Sequence, residues 1–337
     1  MPTRTTTVLG QSDQSLTPAD LRLDTPVLVD PSLARLAVAV QGGEVPESPT
    51  WRLLLRTMRP HQWVKNLLLF VPLLAGHVWG HPDRLLATAI GVAAFSLLAS
   101  AAYIWNDLLD LTADRAHPTK RFRQFASGQL TARSGWLFAP ILAAAGLSLA
   151  ALVGWPFLAA AAVYLTSTLA YSLKLKREPV IDVMLLAGLY MWRVVAGSLT
   201  AEVTLSPWLL AFSIFFFLSL ALVKRCTELR RMVSSARGYR VEDSETLARL
   251  GTTSSYVAVL VLALYIHQPE TAKLYPHPMF LWGVFPVLIY WMSRLWLLAG
   301  RGELNDDPVL FALRDPASYW CAAAMILLAL AAIRLPL

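Results

Sequence analysis

From Lys65 onward the chain keeps one rhythm: runs of about 20 apolar residues, rich in Leu, Ala, Val and Phe, separated by shorter polar stretches. A helix rises about 1.5 Å per residue, so each run matches the roughly 30 Å hydrocarbon core of a bilayer. The pattern predicts nine spanning helices, centred near residues 72, 95, 146, 164, 190, 215, 261, 288 and 326. Composition agrees: of 337 residues 56% are apolar and only 15% charged, whereas a soluble domain carries about a quarter charged. The expected class is an all-α polytopic membrane protein.

The chain before this rhythm reads differently. Residues 1–50 are rich in Thr, Ser, Pro, Gly and Asp and are expected to form a mostly disordered tail, with one surface helix at 32–41. Met1 to Asp20 is polar, and no secretory leader is expected there. Residues 51–337 form the transmembrane domain. Its first piece, WRLLLRTMRPHQWVKN (51–66), reads as an amphipathic helix broken by Pro60, with Trp63 and Lys65 in the headgroup zone.

A net charge of +7 invites a nucleic-acid reading, but its distribution excludes one. Loops 106–135, 174–178, 224–250 and 294–315 carry 5, 3, 7 and 3 Lys or Arg, whereas loops 76–84, 154–156, 200–206 and 267–278 carry 1, 0, 0 and 1. Basic loops stay in the cytoplasm. The alternation places the N-terminus inside and the C-terminus outside, in a bacterial inner or plasma membrane. Cys226 and Cys321 both fall near cytoplasmic span ends, so no disulfide is expected.

The chemistry gathers where the second span meets its loop, in NDLLDLTADRAHPTKRFR (106–123). If the helix continues past Trp105, steps of about 100° bring Asp107, Asp110 and Asp114 within an arc of about 60°, with Asn106 beside it. Carboxylates at this spacing repel one another unless a cation sits among them, and Mg²⁺ favours a few carboxylates with water and phosphate oxygens completing its shell. Asn106, Asp107, Asp110 and Asp114 are therefore the candidate metal ligands. The competing reading is a solvated acidic loop, which clustered acids at a basic membrane face argue against. His117, Lys120, Arg121 and Arg123 follow as phosphate contacts; His117 as a further metal ligand and the three cations as a topology signal are the alternatives.

Polar groups recur after spans 4 and 6 on the same face, as one cavity open to the cytoplasm would require. Tyr171 and Lys174 close span 4, and Asp182 opens span 5 beyond Pro179. Lys174 and Asp182 join the aspartates as candidate catalytic groups. Lys176 and Arg177 read equally well as a positive-inside flank. Arg193 lies deep within span 5, where a charge faces a partner or a cavity. Lys224, Arg225 and Glu228 end span 6, and Lys224, Arg193, Tyr171 and Lys65 complete the expected phosphate and substrate contacts. A helix-end pair between Lys224 and Glu228 is the other reading.

Residues 51–337 resemble the UbiA superfamily of intramembrane transferases. The resemblance rests on RPHQWVKN (59–66), NDLLDLTADRAHPTKR (106–121), YSLKLK (171–176) and LVKRCTEL (222–229). It implies nine helices around a central cavity, open to the cytoplasmic side and laterally to lipid, with Mg²⁺ as cofactor. The form with ND, two further aspartates and HPTKR is most similar to the polyprenyl-phosphate phosphoribosyltransferase branch, which joins phosphoribosyl diphosphate to a lipid phosphate. The alternative branch moves a prenyl chain from its diphosphate onto an aromatic acceptor such as 4-hydroxybenzoate. Two departures stand out. Gln124 replaces the usual Pro, and Asp182 is alone where aromatic prenylation relies on a second aspartate pair. The expected partners are a polyprenyl lipid and a diphosphate donor. A CDP-alcohol phosphotransferase is excluded because its Asp spacing is missing. A transporter remains the non-enzyme alternative, on the strength of Arg193.

Overall fold

The computed structural model describes residues 50–231, 238–304 and 307–334. The expected tail and its helix at 32–41 lie outside the described residues. Helix α1 (Thr50–Thr57) stops two residues before Arg59, whose backbone is left-handed (φ 53, ψ 60) ahead of Pro60. A residue before proline is barred from the α region, which separates α1 from the first crossing. That crossing is a 3-10 stretch, Pro60–Phe70, continued by α2 (Val71–Ala75). Eleven residues at about 2.0 Å and five at about 1.5 Å cover about 30 Å, so the tighter winding lets a short segment reach across a bilayer core.

The other crossings are regular. They are α3 (Pro82–Leu109), followed by the short α4 (Leu111–Ala116); α5 (Ala132–Val153); α6 (Trp155–Leu173); α7 (Ile181–Ala201); α8 (Pro207–Arg231); and α9 (Asp243–Ile266). The short α10 (Pro269–Leu274) leads to α11 (Val284–Arg301), α12 (Pro308–Ala312) and α13 (Pro316–Arg334). Eight helices among the described residues are long and apolar enough to cross a membrane. With the first crossing they give the nine expected passages.

Leu137, Leu152, Trp155, Trp320 and Leu327 are each more than half exposed. An apolar belt of this kind is ruinous in water and ordinary against lipid. Inside it, α3 packs mainly on α5 and α8 mainly on α9, so each long polar loop joins an intimate helix pair. The first crossing is pinned to α3 by Trp63 Nε1 to Ser100 Oγ and by Asn66 Nδ2 to Ser96 Oγ, both 3.0 Å. It also lies against α7. A Cβ on Gly197 would fall 2.2 Å from the Leu69 carbonyl oxygen, so only glycine permits that approach.

Helix α3, at 28 residues, is about 42 Å long by its rise per residue. Its last turns therefore extend beyond the hydrocarbon, and they carry Asn106 and Asp107.

Candidate functional site

Helix α3 does not run straight into α4. Asp110 caps α3 at φ −93, ψ 8, while its N–H still bonds Asn106 O (2.9 Å) and its carbonyl still receives the Asp114 N–H (2.8 Å). The break divides the aspartates into two sets. Asp107 and Asp114, both 3% exposed, converge on Arg123, whose Nη1 lies 3.0 Å from Asp107 Oδ1 and 2.6 Å from Asp114 Oδ2. Asp110 turns instead to Lys176, whose Nζ lies 2.8 and 2.6 Å from its two oxygens and 3.1 Å from Asn106 Oδ1. The single arc expected of one continuous helix is thus split by the kink.

Arg59 grips Asp107 from the first crossing, with Nη2 at 2.6 and 2.7 Å from the two oxygens. Its guanidinium stacks 5.1 Å above the Tyr103 ring. A left-handed non-glycine residue is uncommon and marks a constrained position. Here the turn aims the Arg59 side chain back at α3.

Next to these pairs is an open recess of about 410 Å³ lined by Asp110, Ala113, Asp114, His117, Lys120, Lys176, Arg177 and Gly238. Its wall is mostly polar and carries both signs of charge. His117 Nδ1 faces the N–H groups of Thr119 (3.3 Å) and Lys120 (3.4 Å). Burial, then the Lys120 ammonium, lowers the His117 pKa. Gly238 closes one side at φ +77, and a Cβ there would come within 2.6 Å of Arg177 O.

Mg²⁺ can be tested against these groups. Two carboxylates already share one cationic nitrogen of Arg123, and a carboxylate with an amide oxygen shares Lys176 Nζ. Both cradles hold a positive charge supplied by the protein itself. Among the described residues no three His, Cys, Asp or Glu side chains meet at one point. An ion that takes one or two carboxylates and fills its shell with water and phosphate oxygens fits such cradles.

The remaining expected residues separate. Lys174 is exposed at the end of α6, and Arg121 is exposed, stacked 4.9 Å from the Phe122 ring. Neither lines the recess. Tyr171 is half-buried and is an electrostatic neighbour of Arg225. Asp182 is fully buried, paired with Arg225 and accepting the Tyr239 hydroxyl at 2.5 Å. Tyr239 Oη also accepts the Val180 N–H at 2.6 Å. Val180 (φ 67, ψ −46) is the centre of a γ-turn closed by Ile181 N–H to Pro179 O at 2.8 Å, a strained conformation for a β-branched residue. Burial, then the bond to Asp182, raises the Tyr239 pKa. In this arrangement Asp182 fastens the α6–α7 turn to the segment that follows α8.

Lys65, Lys224 and Arg193 lie apart from the recess. Lys65 Nζ is 2.7 Å and Lys224 Nζ 3.3 Å from Asp307 Oδ2. Lys65, then Lys224, outweighs the burial penalty and holds the Asp307 pKa down to about 2. Arg193 donates to Asn66 Oδ1 (2.9 Å), Leu189 O (2.7 Å) and Tyr164 Oη (2.8 Å).

Sequence reasoning did not single out Arg59, Asp307 or the Lys176–Asp110 pair. Arg59 had a usable signal, since it opens the same RPHQWVKN stretch. Asp307 had only its place before Pro308, a pattern common at helix starts.

Comparison with known proteins gives the same outline. A model of the UbiA prenyltransferase family matches residues 67–322. A Sinorhizobium fredii protein described as uncharacterized protein y4nM is 40% identical over 276 residues; the match covers 80% of this chain but 54% of the relative's length. A decaprenyl-phosphate phosphoribosyltransferase of Mycolicibacterium smegmatis is 30% identical over 285 residues, covering 83% of this chain and 80% of that protein. Among solved structures, a UbiA homolog from Archaeoglobus fulgidus bound to GPP and Mg²⁺ superposes with a TM-score of 0.65 at 17% identity, over 82% of this chain and 99% of that one.

Proposed function

Since the chain belongs to the UbiA prenyltransferase family and is an integral membrane transferase, we propose that it moves a phosphoribosyl group from phosphoribosyl diphosphate to a polyprenyl phosphate. The bond from the anomeric carbon to the diphosphate oxygen breaks, and diphosphate leaves. A lipid phosphate oxygen forms the new bond to that carbon. The observation that carries this reading is the make-up of the recess, where Lys120, Lys176 and Arg177 face Asp110 and Asp114. That mixture suits a heavily phosphorylated sugar better than an aromatic acid.

Asp182 supports the same branch. Transfer of a prenyl chain to an aromatic ring must remove a proton from carbon. Asp182 is not a free carboxylate to receive it, because Arg225 and Tyr239 occupy its oxygens. A lipid phosphate is already an anion and needs no such base. The relative named as a decaprenyl-phosphate phosphoribosyltransferase lends weight, and prenyl transfer to an aromatic acceptor is the second reading, favoured by the family name alone.

Mg²⁺ would be held by one of the two cradles, Asp107 with Asp114 or Asp110 with Asn106, and when bound would neutralise oxygens of the departing diphosphate. Lys176, Lys120 and Arg123 supply fixed positive charge where negative charge grows. Arg59 orients Asp107. The distribution of basic loops supports a recess that faces the cytoplasm.

The test offers detergent-purified protein two labelled substrate pairs with Mg²⁺: phosphoribosyl diphosphate with polyprenyl phosphate, and prenyl diphosphate with 4-hydroxybenzoate. Turnover of the first pair is expected. Turnover of the second pair alone would reverse the choice of branch.

A further inference from the structure

The proposed reaction brings two phosphorylated partners together, and the recess accounts for one of them. A second concentration of positive charge lies deeper. Lys65 is 7% and Arg193 6% exposed, and both lie 5.6 Å from the centre of the Tyr190 ring. Lys224 joins them through Asp307. Tyr103 lies one helical turn inward of Asp107 and beneath Arg59.

Among the described residues the charges here do not balance. Asp307 Oδ2 serves both lysines, while Oδ1 accepts the Val309 N–H at 3.1 Å. The three groups that accept from Arg193 are neutral: an amide oxygen, a backbone carbonyl and a phenol. Three cations thus meet one carboxylate among the described residues, at a depth where an uncompensated charge is costly. The two ammonium groups have three donors each and share a single carboxylate oxygen.

We propose that Lys65, Lys224 and Arg193 form a second anion site, separate from the aspartate recess, that takes a phosphate monoester dianion. The inference rests on the reading above, in which a lipid phosphate and a phosphorylated sugar both enter the fold. A dianion would bring the charge summed over the described residues to zero. It would sit about one turn deeper than Asp107, where a polyprenyl phosphate arriving from the bilayer meets the donor. The 5-phosphate of the donor sugar has the same chemistry and is the other possible source.

Full-length protein in detergent is titrated with geranyl phosphate, with ribose 5-phosphate and with Mg²⁺ plus inorganic diphosphate, comparing wild type with Lys224→Met. Lys224 is partly exposed, so the variant should fold, and its unfolding midpoint without ligand checks this. Geranyl phosphate affinity is expected to fall about tenfold or more, as loss of a charge-assisted contact implies, while Mg²⁺–diphosphate binding stays within about twofold. The same loss on ribose 5-phosphate instead would keep the site and assign it to the donor. Asp307→Asn frees both ammonium groups, so tighter monoester binding is expected, a sign that a damaged fold does not produce. Unchanged monoester binding in Lys224→Met, or weakening confined to Mg²⁺–diphosphate, overturns the site. Wild type that binds neither monoester would also overturn the proposed function, whereas tight binding indifferent to Lys224→Met overturns this inference alone.

Discussion

Two acidic centres in this bundle meet basic partners in opposite ways. At the α3–α4 break, Asp107, Asp110 and Asp114 are held by Arg59, Arg123 and Lys176, and the guanidinium-bearing side chains are 23% and 28% exposed. At the start of α7, Asp182 is 0% and its partner Arg225 2% exposed, with Tyr239 sealing the third side. The first set borders the open recess, and Asp182, Arg225 and Tyr239 are not among the residues that line it. The partly exposed Arg59 and Arg123 can leave a carboxylate when a better ion arrives, and Lys176, itself buried, holds an Asp110 that is 27% exposed, whereas a pair without access to water can only break. The lesson is that accessibility of the partner, more than the presence of a buried acid, separates a site from a fastener.

That contrast is tested most strongly at the break. Asp110→Asn keeps the shape of the side chain and removes the charge that a cation needs. Turnover is expected to fall about 10³-fold or more, with the thermal midpoint in detergent close to wild type. A fully active Asp110→Asn protein would remove the aspartates from the chemistry and leave the recess without its role.

The fastener should respond in the opposite currency. Asp182→Ala leaves the buried Arg225 with Glu228 as its remaining carboxylate and strands the Tyr239 hydroxyl, and it is expected to destabilise the fold by about 3 kcal/mol, the low end of the range for breaking a buried pair. Denaturant unfolding in detergent measures it. Wild-type stability combined with lost turnover would return Asp182 to the catalytic group and erase the contrast. Tyr239→Phe should cost less, about 1–3 kcal/mol, because it strands the Val180 N–H and one Asp182 bond. A neutral result there would mean that the γ-turn at Val180 holds itself.

Much of this was legible in the chain, and the gaps have physical causes. Apolar runs and the bias of basic loops fixed the nine passages, since a bilayer imposes length and charge rules that act along the sequence. The aspartate segment was legible for the same reason, as neighbouring acids at a basic face demand a cation. Which cation answers which acid was not, because pairing depends on contacts far apart in sequence. Lys176 rather than Lys174 reaches Asp110: the chain leaves α6 at Lys174 and turns through a 3-10 step, which reverses the directions expected from helical spacing. Arg59 reaches Asp107 across 48 residues. Asp182 looked like chemistry because nothing in the sequence marks Tyr239 and Arg225 as the groups that close over it.

The smallest expected effect concerns how adjustable the recess rim is compared with the fastener. The His117 imidazole accepts the backbone N–H groups of Thr119 and Lys120 through Nδ1, and an imidazolium cannot accept them. Its pKa is lowered, by burial and then by Lys120, so the folded protein binds this proton less readily than the unfolded chain. The resulting stabilisation is present above the unfolded value near 6.5 and is lost as pH falls through the lower folded value. Between pH 7.5 and pH 5 the thermal midpoint of wild type should therefore fall relative to that of His117→Gln, which does not titrate. The difference should be small, because the rim is open to solvent and its bonds are long. Parallel curves over that range would show that the rim does not depend on a neutral imidazole. The turn carrying Lys120 would then rest on its backbone bonds, such as Arg123 N–H to Lys120 O at 2.9 Å and His117 N–H to Asp114 O at 3.2 Å, and the rim, like the centre at Asp182, would not respond to pH through His117.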